Sequence, residues 1–372
     1  MKEYFRLNSD LSHVLNLLRA VSAGLVLIGH IGMLIYGKGI NAAFDYVTGF
    51  GHQAVMLFFV LSGFLVSRSA IIGITSGKEG IYQYIADRLI RLYIVLIPAL
   101  LLTWLLDTAL LTWFSGAEKF AYVEARTGLL NLLGNIAFLQ TIYVPVFGSN
   151  GPLWSLSNEF WYYVLFPLMI GAFLFRKGVV AILPVALIVP VVLMLPTAIL
   201  KYFTVWLLGA AAWAIRRRII ASRPVAWGIF MTLFLASGFS FAQVQYVGFA
   251  FELMIAASLV LLINCYRFSE AEPGRWYHAL KVRLFADFSY SLYLVHFPML
   301  VLASSVMATY GWQLSLDMAG IVAFPIIVLA IYMLALMFAA VTELKTLQMK
   351  SWIHRRIQMR RLASEVAYAA KE

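Results

Sequence analysis

Long apolar runs dominate this chain. Ten are long enough to cross a bilayer as helices: residues 14–37, 51–73, 88–114, 151–175, 178–196, 199–215, 225–242, 247–266, 284–309 and 319–342. A crossing needs about 20 mostly apolar residues. Each run is nearly free of charge, whereas strands of a membrane barrel are short and alternate apolar with polar. The sequence therefore predicts an all-α polytopic membrane protein of about ten transmembrane helices. Composition agrees. Of 372 residues, 63% are hydrophobic and 12% are charged, too few polar residues to coat a soluble globule. The first run already carries Arg19 and His30 and is followed by no small-residue cleavage pattern, so it reads as a span rather than a secretory leader. The single cysteine, Cys265, excludes an intrachain disulfide and a cysteine-based metal cluster. No metal is implied.

The net charge of +11 reads as basic loops facing the cytoplasm and anionic membrane lipids, not as a nucleic-acid surface. With the N-terminus in the cytoplasm and ten crossings, only Lys38, Lys119, Arg126 and Lys201 fall outside. The other Lys and Arg residues lie inside, among them Arg176, Lys177, Arg216, Arg217, Arg218, Arg223, Arg267, Arg275, Lys281 and Arg283. Both termini are then cytoplasmic. Residues 127–147 are apolar enough for an eleventh span, but a crossing there would invert every later basic loop. They are expected to form a surface or re-entrant helix on the outer side. The basic end of the chain reads as a cytoplasmic anchor for orientation. No internal repeat or linker is visible.

Ionisable groups inside spans are expensive and usually mark function. Arg19 and His30 share the first run. Eleven residues at 100° each return to within roughly 20° of the start and rise about 16 Å, so the two side chains lie on one stripe in opposite leaflets. The alternative is an anchoring arginine and a satisfied core histidine. Arg88 and Arg91 share a face at the cytoplasmic end of the third run. They read either as positive-inside flanks, with Asp87 as a local partner, or, with Arg19, as a site for phosphate oxyanions. Glu159 sits in the outer half of the fourth run, with Ser155 and Tyr163 one turn away on its face. Its neighbours Trp154, Phe160, Trp161 and Tyr162 form an interface belt or a surface on which sugar rings stack. His296, in the ninth run behind Ser289, Tyr290, Ser291 and Tyr293, is either a structural hydrogen-bonding group or part of the site. Asp107 and Glu252 are outer-half acids without an assignable partner, and Asp45 falls in an outer loop.

Arginines inside, a histidine outside and one stripe between them suit an enzyme that draws an activated group from a phosphate-bearing cytoplasmic donor. Histidine is the natural general base near neutral pH.

Five segments in order carry a family resemblance: Arg19-x10-His30, FFVLSGFLVSRS (58–69), RLIR (88–91), GPLWSLSNEFWYY (151–163) and SYSLYLVHFP (289–298). Together they resemble the acyltransferase 3 family of integral membrane acyltransferases across essentially the whole chain. The resemblance implies transfer of an acyl group, acetyl or succinyl, from cytoplasmic acyl-CoA, a co-substrate, to a hydroxyl of a glycan or lipid-linked sugar outside. A surface or exopolysaccharide unit is the expected acceptor. It implies His30 as the catalytic histidine, with Arg19 its motif partner and Glu159 in support. It implies Arg88, Arg91 and Arg19 as acyl-CoA ligands. Trp154, Ser155, Tyr163, Tyr290 and His296 are then the expected acceptor-side residues. Residues 1–345 would form the transmembrane acyltransferase domain and 346–372 a basic cytoplasmic tail, with no fused esterase-type domain. One departure stands out: many members carry an acid just before FFVLSGF, where this chain has Met56. Asp45 or Glu159 would have to serve instead. Direct transfer and an acyl-histidine relay both remain open. A transporter or flippase for a sugar lipid could use the same buried groups, although no inverted repeat is visible. A structural membrane subunit is the remaining alternative.

Overall fold

The computed structural model describes residues 9–37, 39–114, 118–174, 179–244, 248–268, 282–353, 355 and 356. The expectations for Lys38, Arg176, Lys177, Arg275, Lys281 and residues 357–372 lie outside these. Among the described residues thirteen α-helices follow in order: α1 Ser9–Ile31, α2 Ala42–Thr48, α3 Gly51–Thr75, α4 Lys78–Trp113, α5 Leu129–Ile136, α6 Leu153–Leu174, α7 Val179–Met194, α8 Thr197–Ala214, α9 Arg223–Val244, α10 Phe249–Arg267, α11 Val282–Asp287, α12 Ser289–Thr309 and α13 Met318–Val341.

Helix occupies each of the ten apolar runs. Among the described residues, seven stretches are long and apolar enough to cross a membrane by themselves: Ser9–Tyr36, Ala42–Thr75, Glu79–Trp113, Thr197–Ala214, Phe249–Arg267, Ser289–Thr309 and Met318–Ile353. Seven of the ten expected spans meet this measure of length and composition. The SLSNE sequence dilutes the apolar character of α6, while α7 and α9 are apolar helices in their own right.

Helix α3 is central, packed on α1, α4, α6, α8 and α10. Its apolar residues run all round the helix, as burial on every side requires. It meets α8 backbone to backbone. A Cβ on Gly63 would overlap the Trp206 carbonyl, and one on Gly209 would overlap that of Val60. Small residues permit this approach where the solvent is lipid and close packing drives association. By contrast α13 is apolar but mostly exposed, as a lipid-facing helix should be.

Two of the prolines inside helices are compensated by side chains. Pro298 removes the N–H that would bond the Leu294 carbonyl, and Asn150 Nδ2 donates to that oxygen at 2.9 Å. Pro167 frees the Tyr163 carbonyl in the same way, and Tyr84 Oη donates to it at 3.0 Å.

Residues 127–147 do not form one long helix. After the eight residues of α5 the chain turns, with Phe138 and Thr141 at φ 56° and 66°. Phe138 is buried and stacks on Phe160, and its carbonyl accepts from Ser157 Oγ at 2.8 Å and Trp161 Nε1 at 2.9 Å. Leu129, Leu130 and Leu133 face outward. Asp107 finds a partner here: its Oδ2 accepts from the Ser149 N–H at 2.8 Å.

Candidate active site

Two adjoining cavities lie along α1. The first, about 290 Å³, is lined by Arg19 of α1, Arg88 and Arg91 of α4, Glu159 and Tyr163 of α6, and Lys350. Four cations face one lining carboxylate, so the cavity favours an anion. Arg19 Nη2 donates to Ser289 Oγ at 3.2 Å. The guanidiniums of Arg88 and Arg91 sit 5.7 Å and 5.8 Å from the ring centroids of Tyr163 and Tyr290, within cation–π range. Arg88 Nε is buried with no hydrogen-bond partner. Lys350 lies in the helical residues beyond Glu343–Lys345 and pairs with Asp87 Oδ1 at 3.2 Å. The stretch read as a tail thus begins by closing this cavity.

Glu159 belongs to the arginine cavity. Its Oε1 accepts from Ser62 Oγ at 3.0 Å and from Tyr163 Oη. The expectation that it supports His30 is corrected: α6 turns its carboxylate toward α3 and the arginines. Tyr163 and Tyr290, expected near the acceptor, also line the arginine cavity.

The second cavity, about 330 Å³, is lined by His30, Asp45, His52, Trp154 and Phe297. Val55 and Tyr293 line both cavities and form the partition between them. Ser155 shares a 2.6 Å hydrogen bond with Tyr293 Oη and so braces that partition from the arginine side. Close packing shapes the wall. Gly29 lies against the Thr48 carbonyl, where a Cβ would come within 2.8 Å, and Gly32 meets the Thr48 side chain. Directly after His30 the helix opens into a π turn, Gly32–Tyr36, a feature frequent at functional sites.

His296 stands behind His30 and lines neither cavity; it is 1% exposed. Its Nδ1 lies 2.8 Å from the Leu292 carbonyl, and its Nε2 lies 2.8 Å from His30 Nδ1. A carbonyl only accepts, so His296 Nδ1 carries the hydrogen. In the neutral pair His296 Nε2 therefore accepts, and His30 Nδ1 donates. That leaves His30 Nε2 as a bare lone pair. Phe297, edge-on at 4.8 Å, holds the ring. His296, expected from sequence on the acceptor side, thus sits behind His30 and holds the hydrogen on its Nδ1. Met56, where many members carry an acid, is buried core. Asp45 does reach this cavity, but its carboxylate accepts from the Gly39 N–H at 3.1 Å and 3.3 Å.

Sequence reasoning missed His52, Lys350 and the pairing of His30 with His296. Glu252, unassigned from sequence, accepts from His52 Nε2 at 2.7 Å. The residues were visible, but their partners lie about 200 or more positions away along the chain.

A family model described as an acyltransferase domain matches residues 12–342. The chain belongs to the acyltransferase 3 family. It is similar to an O-acetyl transferase of Shigella phage Sf6, 31% identical over 149 residues, covering 40% of this chain and 42% of that protein. It is also similar to the acyltransferase MdmB of Streptomyces mycarofaciens, 30% identical over 133 residues, covering 35% of this chain and 31% of the relative. The match thus spans less than half the length of either relative. No solved structure matches.

Proposed function

We propose that this protein is a membrane O-acyltransferase moving an acetyl or succinyl group from cytoplasmic acyl-CoA to a hydroxyl of an extracytoplasmic glycan, a surface or exopolysaccharide unit. The observation that carries the reading is the pair of cavities meeting at Val55 and Tyr293, one lined by arginines and the other by a histidine with a bare Nε2. A CoA phosphate group suits Arg88, Arg91, Arg19 and Lys350. The pantetheine arm would pass the partition and bring the thioester to His30. His30 Nε2 takes the acceptor hydroxyl proton as the oxygen attacks the thioester carbonyl. The C–O bond forms, the C–S bond breaks, and His30 returns the proton to the CoA sulfur.

The reading includes ten crossings with both termini cytoplasmic, in a bacterial inner membrane, residues 1–345 as the catalytic domain and 346–372 as the tail. Parity supports it. Arg19 pairs with Ser289 and His30 with His296, so α1 and α12 run parallel, as the first and ninth of ten crossings must. The decisive experiment compares base-labile esters on the host's surface polysaccharide in deletion, restored and His30→Ala strains at equal expression. Loss of one ester in the first and third, with its return in the second, is expected. An intact ester in the His30→Ala strain refutes the mechanism.

A further inference from the structure

The histidine cavity contains a second imidazole that the acyl-transfer chemistry above does not use. His52 opens α3 and faces the cavity, and its Nε2 donates to Glu252 Oε1 at 2.7 Å. Glu252 is 3% exposed, and its Oε2 is buried with no hydrogen-bond partner. A carboxylate is an expensive group to bury so deeply with a single partner. It orients the ring, because a carboxylate only accepts and so fixes the hydrogen on His52 Nε2. In neutral His52 the remaining ring nitrogen, Nδ1, is then an acceptor. His30 presents the same kind of atom, Nε2, to the same cavity. The two residues sit close to each other: each directly follows a glycine, and a Cβ on Gly29 would lie 3.5 Å from Gly51 Cα. Trp154 lies 15° from parallel to the His52 ring at 6.3 Å, with Tyr202 at 5.9 Å from Trp154. Among the described residues the cavity lining includes Asp45 but neither Lys nor Arg.

We infer that His52, oriented by Glu252, is an acceptor-positioning residue that binds a second hydroxyl next to the one acylated at His30, so that the acceptor is an uncharged pyranose with adjacent free hydroxyls. Two bare imidazole nitrogens match two O–H donors. Trp154 provides an aromatic wall for the apolar face of the ring. An acidic sugar would bring a carboxylate next to Asp45, with no cation among the described lining residues to meet it. This inference rests on the proposed acyl transfer.

The test uses the purified full chain in detergent with acetyl-CoA, reading CoA release and ester formation. The acceptors are methyl glucopyranoside, methyl galactopyranoside, a monodeoxy derivative of each and methyl glucuronide. The neutral glycosides should be acetylated. The deoxy compounds and the uronoside should need about tenfold higher concentration, the effect of one neutral hydrogen bond. His52→Gln keeps a donor for Glu252 but has no Nδ1. It should raise the KM of the neutral glycosides about tenfold, change kcat less than about twofold, and leave the deoxy compounds unaffected. A purely structural His52 would be rescued by Gln on every acceptor, and that result overturns the inference. So does equal use of the uronoside, or acetylation of a pyranoside that ignores the substitution, while acyl transfer itself stands. Thioester cleavage with none of these acceptors and none in their absence overturns the acyl-transfer reading instead.

Discussion

Replacing His296 with leucine tests the hydrogen-bond direction between the two histidines. In the resting pair His30 Nδ1 donates a neutral hydrogen bond to His296 Nε2 at 2.8 Å. Once His30 has taken the acceptor proton, the same bond becomes charge-assisted and roughly twice as strong. The gain between the two states is about 0.5–2 kcal/mol, on neutral bonds of about 1 and charged ones of about 1.5–3 kcal/mol. That alone lowers kcat about two- to thirtyfold at 1.36 kcal/mol per decade. Leucine also releases the tautomer, so part of the His30 population carries its hydrogen on Nε2 and is inactive as a base. The total expected loss is about 10- to 100-fold in kcat with little change in KM. His296→Gln restores an acceptor oxygen near the position of Nε2 and should recover most of the activity. The assay is acetyl-CoA thioester cleavage read with a thiol reagent; the sole cysteine, Cys265, is buried and adds little background. A leucine variant within twofold of wild type refutes the argument, as does a glutamine variant no better than leucine.

Arg88→Ala with Arg91→Ala should raise the KM for acyl-CoA about 100-fold or more, since each charged hydrogen bond contributes about 1.5–3 kcal/mol. Lys350→Ala should raise it by at most about tenfold, because this lysine already has Asp87 as a partner; steady-state kinetics against acyl-CoA measures both. Gly63→Ala should destabilise the α3–α8 contact by about 1–3 kcal/mol, seen as a lower melting temperature in detergent, because the added methyl meets the Trp206 carbonyl. Asn150→Leu should cost about 1–3 kcal/mol by stranding the Leu294 carbonyl. Adding Pro298→Ala, which returns the missing helical N–H, should recover part of that loss; no recovery would mean that Asn150 acts elsewhere.

The sequence alone determined the class of solvent around this chain, the helical content and the position of each apolar run, because these depend on local composition and on the need to satisfy backbone groups inside lipid. It also determined that Arg19 and His30 share a stripe, since helical periodicity links residues eleven apart. Tertiary packing decided which groups meet. Glu159 reads as an outer-leaflet acid one turn from Ser155, yet the rotation of α6 gives its carboxylate to Ser62 and the arginines. His296 reads as one more polar residue in a span until α12 packs against α1 and sets it on His30. Glu252 has no local partner and finds one 200 positions away. The segment 127–147 is apolar enough to span, but it turns at Phe138, whose carbonyl is satisfied by Ser157 and Trp161 of the folded protein. Such pairings depend on how helices from distant parts of the chain rotate against one another, and no single run of sequence contains that information.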